Sequence, residues 1–492
     1  MATYDVTTEV QAAGLPETLG AVIGGEAALD GVAPEWIDVE DPATGLLVAK
    51  FQASSPVLVD EAVRCAADAQ VRWAQCDPQE RGRTLMGVAE SLLRNSETLA
   101  RLESIDSGKP LSQARADIRL SARYFEYYAG AADKIGGETI PQPAGTFAYT
   151  LREPVGVVAH ITPWNAPLSQ LTRGVAPCLA AGNSVVVKPS ELTPLTTVLA
   201  ARLFVEAGLP AGLCNVVLGL GAATGEALTG HPLISHITFT GSVAAGRRVA
   251  AVAGERVIGV NLELGGKSPS IICADADLEN AARAGALAVI RNSGQSCFAT
   301  TRLIVDRAVH DQFVELVASN IRGLTVGHGL DDPDLGPLIS SRQRDRVTAM
   351  VREAIAGGAS AVVGGDQSAL PASGYFVRPT LLADVTNDMP IARQEVFGPV
   401  QSILAADSLD HAIELANDTE YGLSAGIFTR DVGRAHSVAK ALHAGQVQVN
   451  RYTGAGVEVP FGGYKNSGVG REKGLEALHH YTQLKSVIVA IS

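Results

Sequence analysis

Between Pro154 and Gly266 the chain alternates near-continuous apolar runs with helical stretches, and no other feature restricts its fold as tightly. The runs are VGVVAHIT, SVVVKPS, CNVVLG, HITFTGS and VIGVNLELGG. Between them fall a helix from about Leu168 to Leu179, another after Pro194, a short one, and one over Val243 to Val252. A strand that is apolar on both sides has to be covered on both sides, and a helix between successive strands supplies the crossover that parallel pairing needs. This part of the chain is expected to form a parallel sheet between two helical layers. Ligands bind such sheets beyond the carboxyl ends of the strands, where KPSE, FTGS and LELGGK all fall.

From Pro269 the rhythm resumes with SIICADA, the helix AARAGALAVIRN, RLIVD, further helices, VRPTLL, GPVQSILAAD and QVQVN. A second α/β domain is predicted, with its boundary near the Gly265-Gly266 pair. Ahead of the first sheet, DEAVRCAADAQVRWAQ, RGRTLMGVAESLLRNSETLARLESIDSGK and ARADIRLSARYFEYYAGAADK carry apolar residues at three- and four-residue spacing. These helices are expected to cover one face of the sheet. IDVEDPATGLLVAKFQ reads as short strands around a turn. The turn-rich stretch from Gly136 to Pro154, with its β-prone FAYTLRE, predicts a projecting hairpin. The apolar tail YTQLKSVIVAIS has no obvious partner and is expected to pair with that hairpin or with another subunit.

A chain of 492 residues, 46% hydrophobic and 18% charged, is globular and long enough for several cores. Its 39 basic against 52 acidic residues give a net charge of −13 without a basic run, which argues against a nucleic-acid or anionic-membrane partner. MATYDVTTEVQ lacks the basic-then-apolar order of an export signal. The best uncharged stretch, Pro154 to Thr172, holds His160, Trp164, Asn165 and several prolines, unlike a membrane span. A cytoplasmic protein is expected. The six cysteines show neither CxxC nor Cys/His pairing, so free thiols are expected and no metal site.

One cysteine stands apart. Cys297, in RNSGQSCFAT, follows a polar Gly-Gln-Ser turn where a thiol can be exposed, although free cysteine is more often buried filler. Upstream, Glu263 ends a strand in LELGG, and Asn165 in ITPWNAPL offers an amide that never ionises. Thiolate, carboxylate and neutral donor together suit acyl chemistry at a carbonyl: attack by sulfur, stabilisation of the oxyanion, activation of water. The plainer alternatives are a capping or ion-paired carboxylate for Glu263 and a turn residue for Asn165.

TFTGSVAAG runs a strand through Gly241 and Ser242 into a helix, leaving backbone N–H groups for a pyrophosphate. Lys188 and Glu191 follow another strand, where a carboxylate would accept from ribose hydroxyls and repel a 2′-phosphate. NAD is therefore expected over NADP, with NADP left open. GLGAATG, Gly219 to Gly225, is one residue too long for GxGxxG and weak by itself. GGKS ends like a phosphate-binding loop, but Asn261 stands where that motif needs its first glycine. GLSAG, Gly422 to Gly426, matches a serine-hydrolase elbow, which keeps a cofactor-independent cysteine or serine ester hydrolase as the rival reading.

Together, PWN, KPSE, FTGS, LELGGKSP, GQSC, EVFGPV, NDTEYGLSAG and PFGGYKNSGVGRE, in this order from about Asp41 to the end, resemble the aldehyde dehydrogenase superfamily in its hydrolytic form. The resemblance implies a Rossmann-like NAD-binding domain (1–134 and 155–264), an α/β catalytic domain (265–465) and a small β oligomerisation arm (135–154 and 478–492). It leaves 466–477 as a connection back toward the first domain. Homodimers or homotetramers are implied, as is NAD-dependent oxidation of an aldehyde through a thiohemiacetal and a thioester. Cys297 is then the nucleophile, Glu263 the deacylation base and Asn165 the oxyanion donor. Around the cofactor it implies Trp164, Lys188, Ser190, Glu191, Gly221, Gly241, Ser242, Leu264, Glu395 and Phe397. Of these, Lys188 and Glu191 would meet the adenosine ribose, Ser242 the pyrophosphate, Glu395 the nicotinamide ribose and Phe397 the ring's surroundings.

The aldehyde tunnel falls to Ala166, Gln170, Arg173, Ser296, Phe298 and the loop Arg451 to Val457, including Ala455. Ala166, Gly454, Ala455 and Gly456 are small, which predicts a roomy tunnel for a bulky aldehyde or a semialdehyde acid. Arg173 is expected either to bind a distal carboxylate or to form a salt bridge in the tunnel wall.

Overall fold

In the computed structural model, which describes residues 4–31, 35–366, 368, 370–452 and 455–491, each of the five apolar runs after Pro154 contains a strand. They are β1 (Val157–Ile161), β2 (Ser184–Lys188), β3 (Cys214–Val216), β4 (Ile234–Thr240) and β5 (Gly259–Glu263). All pair in parallel in the order β3-β2-β1-β4-β5, the strand order of a dinucleotide-binding fold without its sixth strand. Short antiparallel strands lengthen both edges: Ala21–Ile23 beside β3 and Gly468–Val469 beside β5.

Every residue of β1 and β2 is buried, as a sheet covered on both faces requires. Val158, Val185, Val187 and Val216 pack with the helices Pro78–Arg94, Ser96–Ser107, Leu111–Ala129, α1 (Pro167–Ala180) and Leu195–Glu206. Val157, Ala159 and Val186 turn the other way, onto Val59, Ala62, Val63 and Ala66 of the helix Pro56–Gln75. The N-terminal helices therefore do not all cover one face, as the sequence led us to expect. Right-handed crossovers from β1 to β2 to β3 put their helices on the same side, and the opposite side over those strands would otherwise be bare.

The second sheet is built from β6 (Pro269–Ile272), β7 (Arg302–Asp306), β8 (Thr380–Ala383), β9 (Val400–Ala406), β10 (Ser424–Phe428) and β11 (Gln446–Val449). These are parallel in the order β8-β9-β7-β6-β10-β11, with Ser360–Val363 antiparallel outside β8. Ser424 of GLSAG is the first residue of β10 and 1% exposed, so it lies within a strand and not on a strand-to-helix elbow. That removes the serine-hydrolase geometry.

The tail finds its partner in the same chain: Thr482–Ala490 pairs antiparallel with all of Thr146–Pro154, whose other side takes Thr139–Ile140. This three-stranded ribbon leaves Phe147, Leu151, Leu484, Ile488 and Val489 exposed. Among the described residues no helix is long and apolar enough to cross a membrane, and no group of three or more His, Cys, Asp or Glu is placed to hold a metal ion.

The passage between sheets decides where chemistry can occur. β5 ends at Glu263 and β6 begins at Pro269, so Leu264–Ser268 carries the carboxyl edge of the first sheet directly to the amino edge of the second. Cys297 precedes β7 and Glu395 precedes β9. The second sheet thus offers amino ends to the cleft, the reverse of the first.

Candidate active site

After α3 (Leu278–Ile290) the backbone enters a left-handed turn, with φ of 48° at Asn292, 52° at Ser293 and 72° at Gly294. A side chain in this region costs about 1–2 kcal/mol, so something must hold Asn292 and Ser293 there. The Asn292 N–H donates to Gln113 Oε1 at 2.7 Å, and Ser293 Oγ donates to the Gly336 carbonyl at 2.8 Å. Gln295 staples the turn from inside, accepting from the Ile339 N–H at 2.9 Å and donating to the Asn292 carbonyl at 3.1 Å. A Cβ at Gly294 would lie 2.1 Å from the Gly398 carbonyl oxygen, so only glycine fits. The result is a fixed turn that presents Cys297 half-buried.

Asn165 is tied to this turn in both directions. Its Nδ2 donates to the Gln295 carbonyl at 3.0 Å, and its own carbonyl accepts from Asn292 Nδ2 at 2.7 Å. The linker between the sheets reaches the same place. A Cβ on Gly266 would come 2.4 Å from the Cys297 carbonyl oxygen, and one on Gly265 would come 2.4 Å from Glu395 Oε2. The Gly266 N–H donates to Glu395 Oε1 at 2.9 Å. Two glycines therefore let three separated segments close on one another.

Glu263 is 2% exposed, and neither of its oxygens has a hydrogen-bond partner. Its ionic neighbour is Arg173 of α1, whose Nη2 lies 3.6 Å from Glu263 Oε2. Arg173 Nε is in close contact with the Glu472 carboxylate, and its guanidinium lies 4.5 Å from the centre of the Phe461 ring. Arg173 thus makes ion pairs with two carboxylates of its own chain. Lys473 Nζ approaches the same ring at 5.4 Å while donating to the Ala455 carbonyl at 3.2 Å.

Burial dominates the titration of this cluster. It pushes the Cys297 thiol up to about 12, with Arg173 pulling it down and Glu263 and Glu395 adding to the rise. It raises the Glu263 carboxyl well above the carboxylate range, against Arg173 and with Glu472. It lifts Glu395 to about 7 against the Gly266 N–H, and lowers Lys473 to about 8. A cluster whose groups titrate far from their ordinary values is where proton-transfer chemistry is expected.

Of the residues expected to line an aldehyde tunnel, Phe298 faces Tyr452 and Phe461 at 5.9 and 6.3 Å between ring centres. Ala166 is half-buried just before α1; Gln170 is buried in α1, and its carbonyl accepts from His160 Nε2 at 3.0 Å. Ser296 and Ala455 are half-buried, whereas Arg451 is exposed. Thr453 and Gly454 lie outside the described residues. The sequence alone assigned no role to Glu472, Lys473 or Phe461, and Tyr452 entered only as part of the loop Arg451 to Val457. Glu472 and Phe461 stand inside the motif PFGGYKNSGVGRE, but nothing in a Gly-Arg-Glu-Lys string says that its charges are buried.

The expected cofactor residues line the carboxyl edge of the first sheet and the adjoining amino edge of the second. Beyond β2, Lys188 Nζ donates to the Pro189 and Gly219 carbonyls at 2.8 Å and sits 3.9 Å from Glu191, whose side chain is 37% exposed. Ser190 Oγ caps the following turn through the Leu192 N–H at 3.2 Å. Gly221 opens the turn after β3, where a Cβ would meet nothing within 4 Å, and Gly225 approaches Lys188. Beyond β4, the Gly241 N–H donates to the Glu263 carbonyl at 3.0 Å, and exposed Ser242 caps α2 (Val243–Arg256) through the Ala245 N–H. The free N–H groups of that helix start suit a pyrophosphate. Leu264 packs with Ile161, Phe239 and Leu262. Trp164 and Phe397 meet edge to face at 5.2 Å, Phe397 at a left-handed φ of 56°. A row of hydroxyl, carboxylate, open helix start and aromatic edge is the donor set a dinucleotide needs.

The chain is similar to known proteins along nearly its whole length. The model of the aldehyde dehydrogenase family matches residues 30–487. Hydroxyisobutyraldehyde dehydrogenase of Mycolicibacterium austroafricanum is 43% identical over 448 residues, 91% of this chain and 89% of that protein. The crystal structure of a putative aldehyde dehydrogenase from Burkholderia cenocepacia superposes with a TM-score of 0.94 at 45% identity, covering 96% of this chain and 100% of that one. Betaine aldehyde dehydrogenase from Staphylococcus aureus in complex with NAD+ superposes with a TM-score of 0.95 at 35% identity, covering 100% and 98%.

Proposed function

Because the chain belongs to the aldehyde dehydrogenase family, and is an NAD-dependent enzyme that oxidises an aldehyde to a carboxylic acid, we propose that Cys297, Asn165 and Glu263 divide that reaction among them. The Cys297 thiol gives up its proton to solvent and its sulfur attacks the aldehyde carbonyl, forming a C–S bond and a thiohemiacetal oxyanion. The second N–H of the Asn165 amide, whose first is held by Gln295, donates to that oxyanion together with the Cys297 backbone N–H. When bound, NAD supplies the acceptor for the hydride that leaves as the thiohemiacetal becomes a thioester. Glu263 then takes a proton from water, which attacks the thioester, releases the acid and returns the sulfur. Burial that raises the Glu263 carboxyl also makes its charged form a stronger base.

The observation that carries this reading is the reciprocal bonding of Asn165 to the Cys297 turn, with the linker from Glu263 lying against the Cys297 carbonyl. For the cofactor, Lys188, Ser190 and Glu191 take the adenosine ribose, and Gly221, Gly241 and Ser242 the phosphates. Trp164, Leu264, Glu395 and Phe397 take the nicotinamide end. The domain roles follow the two sheets: 1–134 and 155–264 bind NAD, 265–465 carries the thiol, 135–154 with 478–492 forms the assembly arm, and 466–477 links back. The exposed apolar ribbon supports a homodimer or homotetramer. Six free cysteines support a reducing, cytoplasmic setting.

Arg173 is occupied by Glu472 and Glu263, so we favour an uncharged aldehyde, as borne by the Mycolicibacterium relative's name, over a semialdehyde acid. The test is NADH formation with a panel of aldehydes, including a semialdehyde acid and its uncharged analogue. Glu263→Gln is expected to give one burst of NADH and then stall at the thioester. Unchanged steady turnover of that variant would remove Glu263 from the base role.

A further inference from the structure

The least expected group in the site is a fully enclosed guanidinium. Arg173 is 6% exposed and lies between two carboxylates, in contact with Glu472 and 3.6 Å from Glu263. It has no slack. Phe461 stacks on its flat side, and the next residue, Gly174, could not carry a Cβ without striking the His160 ring at 2.4 Å, so α1 is seated hard against β1 at this turn. Glu263 has no hydrogen bond to hold it, and Arg173 Nε and Nη2 make none either, so ion pairing and the Phe461 ring are what fix this group. We propose that Arg173 is a positioning residue for deacylation: pinned by Glu472 and Phe461, it fixes where the Glu263 carboxylate sits and balances its charge. The inference rests on Glu263 being the base.

The groups that bear on Glu263 come from every side. Arg173 and Glu472 are nearest in effect, followed by Arg471 and Lys473 from the same C-terminal segment. Tyr124, from the helix Leu111–Ala129, and Cys297 act on Arg173. Arg173 lowers the Glu263 carboxyl, and Glu472 raises it. The two neighbours therefore push the base in opposite directions, and removing them must have opposite consequences. A base serves only when deprotonated, so the acid limb of deacylation follows the Glu263 carboxyl.

The experiment measures burst and steady-state NADH formation against pH for the wild type, Arg173→Gln, Arg173→Lys, Glu472→Gln and Glu263→Gln, with melting curves and NAD binding as folding controls. Loss of the opposite charge at this range is expected to move the acid limb of steady-state turnover upward by on the order of 1–3 pH units in Arg173→Gln. Arg173→Lys should restore most of that shift. Glu472→Gln should move the limb downward while leaving the pH profile of the burst in place. A limb unmoved in Glu472→Gln, or moved in the same direction as in the arginine variants, overturns the proposal. If Arg173→Gln does not fold, the Lys and Glu472 variants decide the matter. Wild-type turnover in Glu263→Gln would instead overturn the base assignment, a separate and recognisable failure.

Discussion

At the scale of single residues, each assigned role predicts a different kinetic defect. Cys297→Ala should abolish oxidation and leave NAD binding intact, as measured by fluorescence titration. Asn165→Ala removes a donor to the developing oxyanion, and loss of one such donor costs about 10²–10³ in rate. That loss should appear in the burst, since the thiohemiacetal forms before hydrolysis. Glu395 makes a pH prediction. Its folded value of about 7 lies above that of an exposed carboxyl, so its contribution to stability is complete at low pH and is lost as pH rises through about 7. Glu395→Gln keeps an acceptor for the Gly266 N–H but has no charge to bury. Melting without cofactor should therefore show the variant gaining on the wild type between pH 5 and pH 8; a constant difference would contradict the buried charge.

At the scale of elements, a buried ion-pair cluster supports the chemistry from outside it, and one exposed helix end carries strain. Lys109 Nζ is paired with Glu103 at 3.1 Å and Asp117 at 2.6 Å, and Glu103 Oε2 accepts from the Leu168 N–H in the first turn of α1. Lys109→Met leaves a buried carboxylate uncompensated, a change that costs about 3–5 kcal/mol, and it loosens the helix start that follows Asn165. Both a lower melting temperature and a slower burst are expected. At the amino edge of the first sheet, away from the cleft, α2 stops at Val257, 91% exposed with φ of 56°, a β-branched residue in the left-handed region. Val257→Gly should raise stability by about 1 kcal/mol in denaturant unfolding. Strands, crossover helices and the three chemical motifs were legible because apolar period and short-range turn residues express them locally. Arg173 marks the limit. Its type was visible, but its partner depended on a glutamate some three hundred positions away in the chain, and a carboxylate pair and a substrate carboxylate demand the same side chain. The placement of the helix Pro56–Gln75 on the opposite face was hidden for a like reason: its stripe says that it packs, and only the handedness of later crossovers says where.

At the scale of the whole molecule, the ribbon of Thr146–Pro154 and Thr482–Ala490 carries its apolar side chains outward, with Ile488 73% and Leu484 58% exposed. Ile488→Asp with Leu484→Asp should shift the protein toward monomer in light scattering while leaving the catalytic cluster chemically intact; an unchanged mass would mean that assembly uses another surface. The junction of the two sheets has a wider consequence. Gly265 lies against Glu395 and Gly266 against the Cys297 carbonyl, so the passage between sheets is also the wall of the reaction site. Two lobes joined by a free hinge could open to let a spent nucleotide escape. Here an opening at this junction would part Cys297 from Glu263, the thiol and the base proposed above. We therefore expect ligands to enter and leave with this junction closed.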